Sequence, residues 1–253
     1  MTDSGGPILS VRDLRKTFTM HAVSGRTVTS LDGVSLDVGT GEHVAVAGAS
    51  GAGKSSLLRC VYRNYLPDAG TVTLALEDRA VELTALPDRQ MARLRGRELG
   101  YVSQFLAAPP RTGPLQHVAA AARRRGLAPP EAREAAVAAL RRLGIDEPLW
   151  EIDCSVLSGG ERQRVNLAAG VVSPPRLLLL DEPVSALDPA NRERALELIE
   201  DLAGVSVLAV YHDMQIIRRL AGRAVVMDAG RVVAEGTPET ILAQHHAALE
   251  EVA

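Results

Sequence analysis

The sequence contains few cysteines, few aromatic residues and no long hydrophobic run. Cys60 and Cys154 are its only cysteines in 253 residues, too few for a disulfide framework or a cysteine-rich zinc site, so we expect reduced thiols. No hydrophobic stretch approaches the roughly 20 residues that a membrane-spanning helix needs. The first residues also lack the basic and then apolar pattern of a signal peptide. These absences predict a cytoplasmic protein with no direct membrane insertion.

An excess of positive charge is absent as well. Lysine and arginine number 28 against 31 aspartate and glutamate residues, which gives a formal net charge of −3. Nothing in this balance indicates a nucleic-acid-binding protein, although local basic patches are compatible with it. The hydrophobic fraction of 46% is ordinary for a globular chain, and the length allows a substantial core. We therefore expect a globular protein without nucleic acid among its partners.

Hydrophobic periodicity in the first two thirds of the chain predicts strands followed by helices. The strand patterns lie at 8–14, 28–38, 42–48, 71–76 and 81–83, with a helical pattern at 54–62. From Pro87 to about Leu143 the sequence becomes rich in alanine, arginine and leucine. A strong helix is predicted over 131–144, with Pro130 near its first turn and Gly144 as its stop signal. This middle third predicts a helical lobe inserted into an α/β core.

The last third returns to alternating strands and helices. The predicted elements are strands at 176–181 and 205–212, a helix at 189–204, a hairpin over 224–236 and a final helix from about Pro238. Strands that alternate with helices favour a largely parallel sheet covered by helices. The predicted fold class is therefore α/β.

The segment Gly48–Ser55 reads GASGAGKS and fits the pattern G-x-x-x-x-G-K-[ST] between a strand and a helix. Its glycines let the backbone curl around phosphates, and its N–H groups and the helix N-terminus direct positive charge at them. Lys54 would reach the β- and γ-phosphates, and the Ser55 hydroxyl would bind Mg²⁺. The predicted nucleotide-binding residues here are Gly48, Ala49, Ser50, Gly51, Ala52, Gly53, Lys54, Ser55 and Ser56.

Two acidic residues follow a second apolar run, LLLLDEP at 177–183. A buried strand would deliver Asp181 to its carboxyl end, where ligands bind in open α/β sheets. Asp181 is a candidate for holding Mg²⁺, and Glu182 for polarising the attacking water. Such a pair alone often only caps a helix, but its position after a phosphate loop strengthens the assignment.

The segment LSGGERQR at 157–164 resembles the signature motif of ATP-binding-cassette (ABC) ATPases. Other landmarks of that family stand in the expected order between about Ile8 and Gly236. They are an aromatic for adenine stacking at Phe18, a Q-loop glutamine at Gln104, a D-loop at 185–188 and a switch histidine at His212. For Phe18, a place in the core remains an equal alternative. Together these motifs identify the chain as a member of the ABC family.

The resemblance implies a P-loop NTPase fold of the ABC type, as a single domain over 1–253. It would comprise a RecA-like core, an antiparallel β subdomain at about 1–86 and 97–104, and an inserted α-helical subdomain at about 105–173. Family members hydrolyse ATP with Mg²⁺ and pair head to tail, so the expected partner is a second cassette in a homo- or heterodimer.

The family also implies a role for each matching residue. Ser158 and Gly160 would contact the ATP held by the partner, and Ser55, Gln104 and Asp181 would surround Mg²⁺. The predicted catalytic residues are Glu182 as the base, His212 as the γ-phosphate sensor and Gln104 of the Q-loop.

Within the family, two segments resemble the PhnL group, the cassettes of the bacterial phosphonate carbon–phosphorus lyase system. They are RCVYRNYLPDAG at 59–70 and YVSQFLAAPPR at 101–111, and the run at 153–170 also fits. This resemblance implies an ATPase that supports nucleotide-dependent methylphosphonate activation together with other proteins of that system. The alternative is the ATPase of a lipoprotein-release or macrolide-export transporter. A chromosome-maintenance cassette is disfavoured, because no sustained heptads separate Lys54 from Leu157.

Overall fold

The computed structural model describes residues 6–20, 26–103, 108–202 and 204–243. Contacts divide the chain into two units, one formed by Met1–Ala92 with Ser206–Ala253 and the other by Arg93–Val205. The elements in chain order are β1 (Leu9–Met20), β2 (Arg26–Val38), β3 (His43–Ala47), α1 (Lys54–Val61), β4 (Ala69–Ala75), β5 (Ala80–Glu82), α2 (Asp88–Leu94), β6 (Leu99–Val102), α3 (Pro114–Arg124), α4 (Pro129–Arg142), α5 (Gly159–Val171), β7 (Leu177–Asp181), α6 (Pro189–Glu200), β8 (Ser206–Val210), α7 (Met214–Leu220), β9 (Arg223–Asp228) and β10 (Arg231–Gly236).

The first unit contains an antiparallel sheet in the order β2-β1-β4-β5. Alternation along β1 and β2 buries one row of apolar side chains, among them Leu9, Val11 and Leu31. The predicted strands at 8–14 and 28–38 are confirmed, and β1 continues to Met20 because β2 pairs with it as far as Arg26. The sequence also predicts a turn between them over HAVSGR at 21–26, of which residues 21–25 lie outside the described residues.

The first unit also contains strands in the order β10-β9-β3-β8. β3 is parallel to both of its neighbours, and four of its five residues are buried, as expected for an apolar strand covered on both faces. β9 and β10 form the predicted hairpin, and its turn at Ala229 and Gly230 has positive φ angles of 43° and 78°. From Pro238 the chain is helical through residue 243, the last described one.

In the part of the second unit that the structure describes, two parallel strands are combined with four α-helices. β6 pairs with β7 in the register Leu99↔Leu177 to Val102↔Leu180, and all five residues of β7 are buried. The helix predicted over 131–144 is α4, and it begins two residues earlier because prolines 129 and 130 suit the first helical turn. The helix predicted over 189–204 is α6, which ends at Glu200.

Helix α5 is fixed at its carboxyl end by Arg125, which follows α3. The guanidinium donates through Nη1 to the carbonyl oxygens of Ala169, Gly170 and Ser173 at 3.0, 2.9 and 2.8 Å. Its Nε donates to the Gly96 carbonyl oxygen at 3.1 Å. Carbonyl groups at a helix end lack intrahelical partners and carry partial negative charge, so a cation there satisfies them and stabilises the helix.

None of the helices in the described ranges combines the length and the apolar character that a membrane-spanning helix needs. The subdomain boundaries expected from the family resemblance stay a prediction.

Candidate active site

The phosphate loop predicted at Gly48–Ser55 connects β3 to α1 in the first unit. Gly48 and Gly53 have φ angles of 136° and 100°, a region that residues with side chains rarely adopt. A Cβ at Gly48 would stand 2.1 Å from the Met227 carbonyl oxygen, and one at Gly53 would stand 2.3 Å from the Ser30 carbonyl oxygen. Glycine is therefore required at both positions by conformation and by close backbone approach.

Lys54 is the first residue of α1, and its side chain folds back over the loop. Only 5% of it is exposed, and its ammonium group donates to the carbonyl oxygens of Gly48 and Ala49 at 2.7 and 2.8 Å. A buried ammonium needs such acceptors, because burial without them carries a large desolvation cost. The positive charge of Lys54 therefore lies against the backbone of the loop.

The remaining residues of the predicted loop divide by exposure. Ser50 and Gly51 are exposed and Ala49 is half-buried at the outer side of the loop. Ala52 is buried, and its carbonyl oxygen accepts a hydrogen bond from the Gly230 N–H at 3.1 Å. Ser55 and Ser56 lie half-buried in the first turn of α1, and the Ser30 hydroxyl donates to the Ser56 hydroxyl at 2.7 Å. The loop is therefore supported by β2 and by the β9–β10 turn.

The amino end of α1 offers a site for anions. Its N-cap is Gly53, no described side chain caps it, and its first turn contains no acidic residue. Helix N-termini carry partial positive charge, so phosphate oxygens suit this position. Together with the glycine cradle and Lys54, the donor set fits a nucleotide phosphate.

Phe18 lies half-buried on β1 of the first unit. Its ring meets Tyr65 edge to face, with centroids 5.1 Å apart, and the Lys16 ammonium lies 5.4 Å from its centroid. Lys16 in turn binds the Asp68 carboxylate at 2.9 Å, which also accepts from the Thr17 N–H at 2.6 Å. The stacking of Phe18 on adenine stays a prediction.

Asp181 is the last residue of β7 in the second unit and is only 2% exposed. The Tyr101 hydroxyl on β6 donates to its Oδ2 at 2.8 Å. The aspartate is thereby oriented at the carboxyl end of the strand, as the sequence predicts. Carboxylate and hydroxyl oxygens are ligands that Mg²⁺ prefers, and the ion usually takes few protein ligands beside substrate phosphates.

Glu182 follows β7 in a left-handed backbone conformation, with φ of 53°. For a residue with a side chain this conformation costs about 1–3 kcal/mol, so surrounding contacts must maintain it. Its carbonyl oxygen accepts from Gln163 Nε2 at 2.8 Å and from the Ser185 hydroxyl at 3.2 Å. Gln163 Oε1 accepts from the Ala186 N–H at 3.0 Å. The loop after β7 is thus bound to α5.

The predicted signature residues lie at the amino end of α5. Ser158 is the N-cap: its hydroxyl accepts from the Glu161 N–H at 3.3 Å, and Glu161 Oε2 accepts from the Ser158 N–H at 2.8 Å. This hydrogen bond lowers the pKa of Glu161, which keeps the capping carboxylate ionised near neutral pH. Ser158 is exposed and Gly160 is half-buried, with no atom closer than 3.6 Å to a Cβ built there.

His212 follows β8 in the first unit, just before the N-cap Asp213 of α7. The preceding residue, Tyr211, is buried, and its hydroxyl lies 3.2 Å from His43 Nε2. Burial lowers the pKa of His43 to about 4, so this ring is neutral at pH 7. The Tyr211–His43 contact anchors the strand end that presents His212.

The predicted metal and catalytic residues come from both units. Ser55 and His212 belong to the first, Asp181 and Glu182 to the second, and Gln104 lies outside the described residues. Among the residues that the structure describes, no group of three or more His, Cys, Asp or Glu side chains forms a metal site by itself.

Two residues of the site were not predicted from the sequence. Tyr101 orients Asp181, and Gln163 binds both sides of the loop that begins at Glu182. Tyr101 pairs with Leu179, two residues before Asp181, in a register of β6 with β7 that the sequence alone does not give. For Gln163, its position five residues after Ser158 gave no indication that it reaches the β7 loop.

Comparisons with known proteins agree with these motifs. Residues 31–185 match the family described as ABC transporter. The methionine import ATP-binding protein MetN of Haemophilus influenzae (strain 86-028NP) is 33% identical over 247 residues, which cover 94% of this chain and 69% of that protein. MetN of Rhizobium etli is 36% identical over 217 residues, covering 85% of this chain and 58% of that protein.

Solved structures give the same result at the level of fold. The bacterial ABC transporter cassette MJ0796, solved as a dimer, superposes with a TM-score of 0.81 at 26% identity, over 91% of this chain and 98% of that one. CbiO1 from Clostridium perfringens, part of the ABC transporter complex cbiONQ, gives 0.70 at 26% identity, over 95% and 92%. The predicted P-loop NTPase fold of the ABC type is confirmed, and the chain belongs to the ABC transporter family as an ATP-hydrolysing ABC ATPase.

Proposed function

We propose that the chain binds ATP with the Gly48–Ser55 loop and hydrolyses it as one of two paired cassettes. The glycine cradle at Gly48 and Gly53, with the Lys54 ammonium above it, is the observation that supports phosphate binding. Ser158 and Gly160 would contact the nucleotide held by the partner, and their place at the N-terminus of α5 suits an anion. Phe18 would stack on the adenine.

In the hydrolytic step, Glu182 would accept a proton from the water that attacks the γ-phosphate. Lys54 would stabilise the charge that develops on the phosphate oxygens, and His212 would contact the same phosphate. Ser55, Asp181 and Gln104 would hold Mg²⁺, which neutralises phosphate charge when bound. These residues supply a nucleophile-activating base, a phosphate clamp and a metal site, which together account for ATP hydrolysis.

Replacing Glu182 tests this assignment. Glu182→Gln should retain ATP binding and lose turnover by about a hundredfold or more, because the amide does not accept the proton. ATP should then remain trapped in closed cassette pairs, measured as nucleotide retained after gel filtration. Lys54→Ala is the matched comparison: it should weaken binding of a fluorescent ATP analogue, since it removes a charged phosphate contact. Wild-type hydrolysis by Glu182→Gln would exclude Glu182 as the base.

The first candidate for the assembly that uses this ATPase is a membrane transporter. The names of the relatives and of the solved structures support it, since they describe import proteins and transporter cassettes. These names favour a transporter over a phosphonate-processing assembly. In this function the chain would bind an integral membrane partner and drive its transport cycle.

The second candidate is a carbon–phosphorus lyase assembly of the PhnL type. Two segments favour it, 59–70 and 101–111, which resemble that group. In the first segment, Asp68 binds Lys16 and the Tyr65 ring meets the Phe18 ring edge to face. The ATPase would then support methylphosphonate activation alongside soluble proteins of that system.

Purification from the native cell distinguishes the two assemblies. The tagged full chain should be isolated from both the membrane fraction and the soluble fraction, and its stable partners identified by mass spectrometry. An integral membrane permease that stimulates ATP hydrolysis would support the transporter. Phosphonate-processing enzymes in the soluble fraction, with no permease in either, would support the PhnL-type function. The Lys54→Ala chain is the control for partners that bind only in the nucleotide-bound state.

A further inference from the structure

Gln163 connects two parts of the proposed site that belong to different sequence motifs. They are helix α5, which begins at the signature residues, and the loop after β7, which begins at Glu182. Gln163 lies on α5, five residues after the signature serine Ser158, and only 1% of it is exposed. Its side-chain amide donates to the Glu182 carbonyl oxygen at 2.8 Å and accepts from the Ala186 N–H at 3.0 Å. A single side chain therefore binds the loop after β7 at both its first and its fifth residue.

The amide fulfils both contacts because it presents a donor and an acceptor side by side. Methionine has the same length and lacks both groups, and an ionised glutamate retains only the acceptor. The burial of Gln163 makes the loss of either partner costly, since a backbone carbonyl or N–H would be left unsatisfied. The residue type at position 163 is therefore specified by the two backbone groups that it satisfies.

The contact acts on the backbone of Glu182 where that backbone is strained. Glu182 has φ of 53°, a conformation that relaxes unless neighbouring groups hold it. Rotation of this residue would redirect its carboxylate, and a displacement of about 1 Å at a catalytic group costs up to about a hundredfold in rate. Its carbonyl oxygen accepts from Gln163 at 2.8 Å and, at longer distances, from the Ser185 hydroxyl at 3.2 Å and the Ser185 N–H at 3.4 Å.

We propose that Gln163 is a positioning residue that fixes the proposed base Glu182 from the helix whose first turn would contact the partner's ATP. This inference rests on the proposed roles of Glu182, Ser158 and Gly160. In a cassette pair, binding of the partner's nucleotide at the start of α5 would thereby set the loop that carries the base of the other site. The two ATP sites would be linked through one buried amide.

Gln163→Met tests the inference at constant side-chain length. We expect kcat for ATP hydrolysis to fall between about tenfold and a hundredfold, while KM and the affinity for a fluorescent ATP analogue change less than twofold. In the Glu182→Gln background, Gln163→Met should leave the amount of trapped ATP unchanged, because the base is already absent. Arg133→Met, an exposed residue of α4 outside the predicted motifs, is the control and should retain wild-type kcat.

Gln163→Glu provides a second variant with a readout that a purely structural role would not change. A buried carboxyl group has a raised pKa, and its protonated form regains an O–H donor for the Glu182 carbonyl oxygen. The ratio of its kcat to that of the wild type should therefore rise as the pH falls from about 9 to about 6. A ratio that stays flat or falls would contradict the inference.

The outcomes separate this inference from the proposed function. An inactive Glu182→Gln protein together with a fully active Gln163→Met protein would overturn the role of Gln163 alone. Loss of ATP trapping on adding Gln163→Met to Glu182→Gln would also overturn it, since Gln163 would then serve cassette closure. Wild-type turnover by Glu182→Gln would instead remove the proposed function itself. All measurements use the full chain in the assembly with which it purifies, and melting temperatures identify variants that fail to fold.

Discussion

At the scale of single residues, the site depends on backbone groups as much as on charged side chains. Gly48 and Gly53 stand where a Cβ would overlap a neighbouring carbonyl oxygen, and Lys54 covers the loop with its ammonium group. Glu182 has a left-handed backbone conformation, and its carbonyl oxygen accepts hydrogen bonds from Gln163 and Ser185. The positions of the motif residues therefore depend on close contacts with the surrounding backbone.

Gly53→Ala should destabilise the protein by about 3 kcal/mol or more and abolish ATP binding. The added methyl group would meet the Ser30 carbonyl oxygen at 2.3 Å, and relief requires movement of β2 or of the loop. Gly51→Ala is the matched control, because Gly51 has φ of 82° but no atom within 4 Å of its Cβ position. It should cost only about 1 kcal/mol. Urea unfolding measures both, and equal losses would contradict the steric argument.

At the scale of elements, helix α5 of the second unit contacts several of the segments that carry predicted site residues. Its first turn holds Ser158, its buried face binds the β7 loop through Gln163, and Asn166 donates to the Ser103 carbonyl oxygen at 2.6 Å. Arg125 fixes its far end through three carbonyl groups. A shift of this helix would therefore displace residues of several motifs together.

Arg125→Met should lower the free energy of unfolding by about 3 kcal/mol, because it leaves buried carbonyl oxygens and a helix end without their cationic donor. Arg123→Met, two residues earlier and exposed at the end of α3, should change it by less than about 0.5 kcal/mol. Chemical denaturation of both variants measures the difference. Similar stabilities would mean that the carbonyl contacts of Arg125 contribute little.

The elements also differ in how well the sequence predicts them. The strands β3 and β7 and the helix α4 follow from apolar runs and proline signals, and their predicted positions agree within two residues. The length of β1 depends on pairing with β2, and the role of Gln163 depends on contacts with residues far along the chain. Local patterns carry no information on such tertiary contacts, so these features required the structure.

At the scale of the whole molecule, the proposed site would be incomplete in one chain. The phosphate loop and the signature serine are predicted to act on different nucleotides, so a complete site requires two cassettes. The fold and the ATPase family were predictable because the motifs are short, ordered and chemically specific. The assembly was not, because two segments resemble the PhnL group while the relatives are named as methionine importers.

Purified alone, the chain should hydrolyse ATP with a rate per chain that rises with its concentration. A site shared between two chains forms only when they associate, so dilution should lower the specific activity. Light scattering with ATP and Glu182→Gln measures association directly, and Lys54→Ala is the control that lacks the nucleotide-binding charge. A specific activity independent of concentration over the range in which scattering reports dissociation would contradict the shared site.

The hydrogen bond from Gly230 to Ala52 has a consequence for the synthesis of the protein. The phosphate loop lies near the start of the chain, but its support includes Met227 and the turn at Gly230, almost 180 residues later. A ribosome that has released only the first half of the chain has therefore exposed the loop sequence without the backbone that shapes it. We expect nascent chains to acquire ATP binding abruptly, when the β9–β10 hairpin emerges, rather than when the loop itself does.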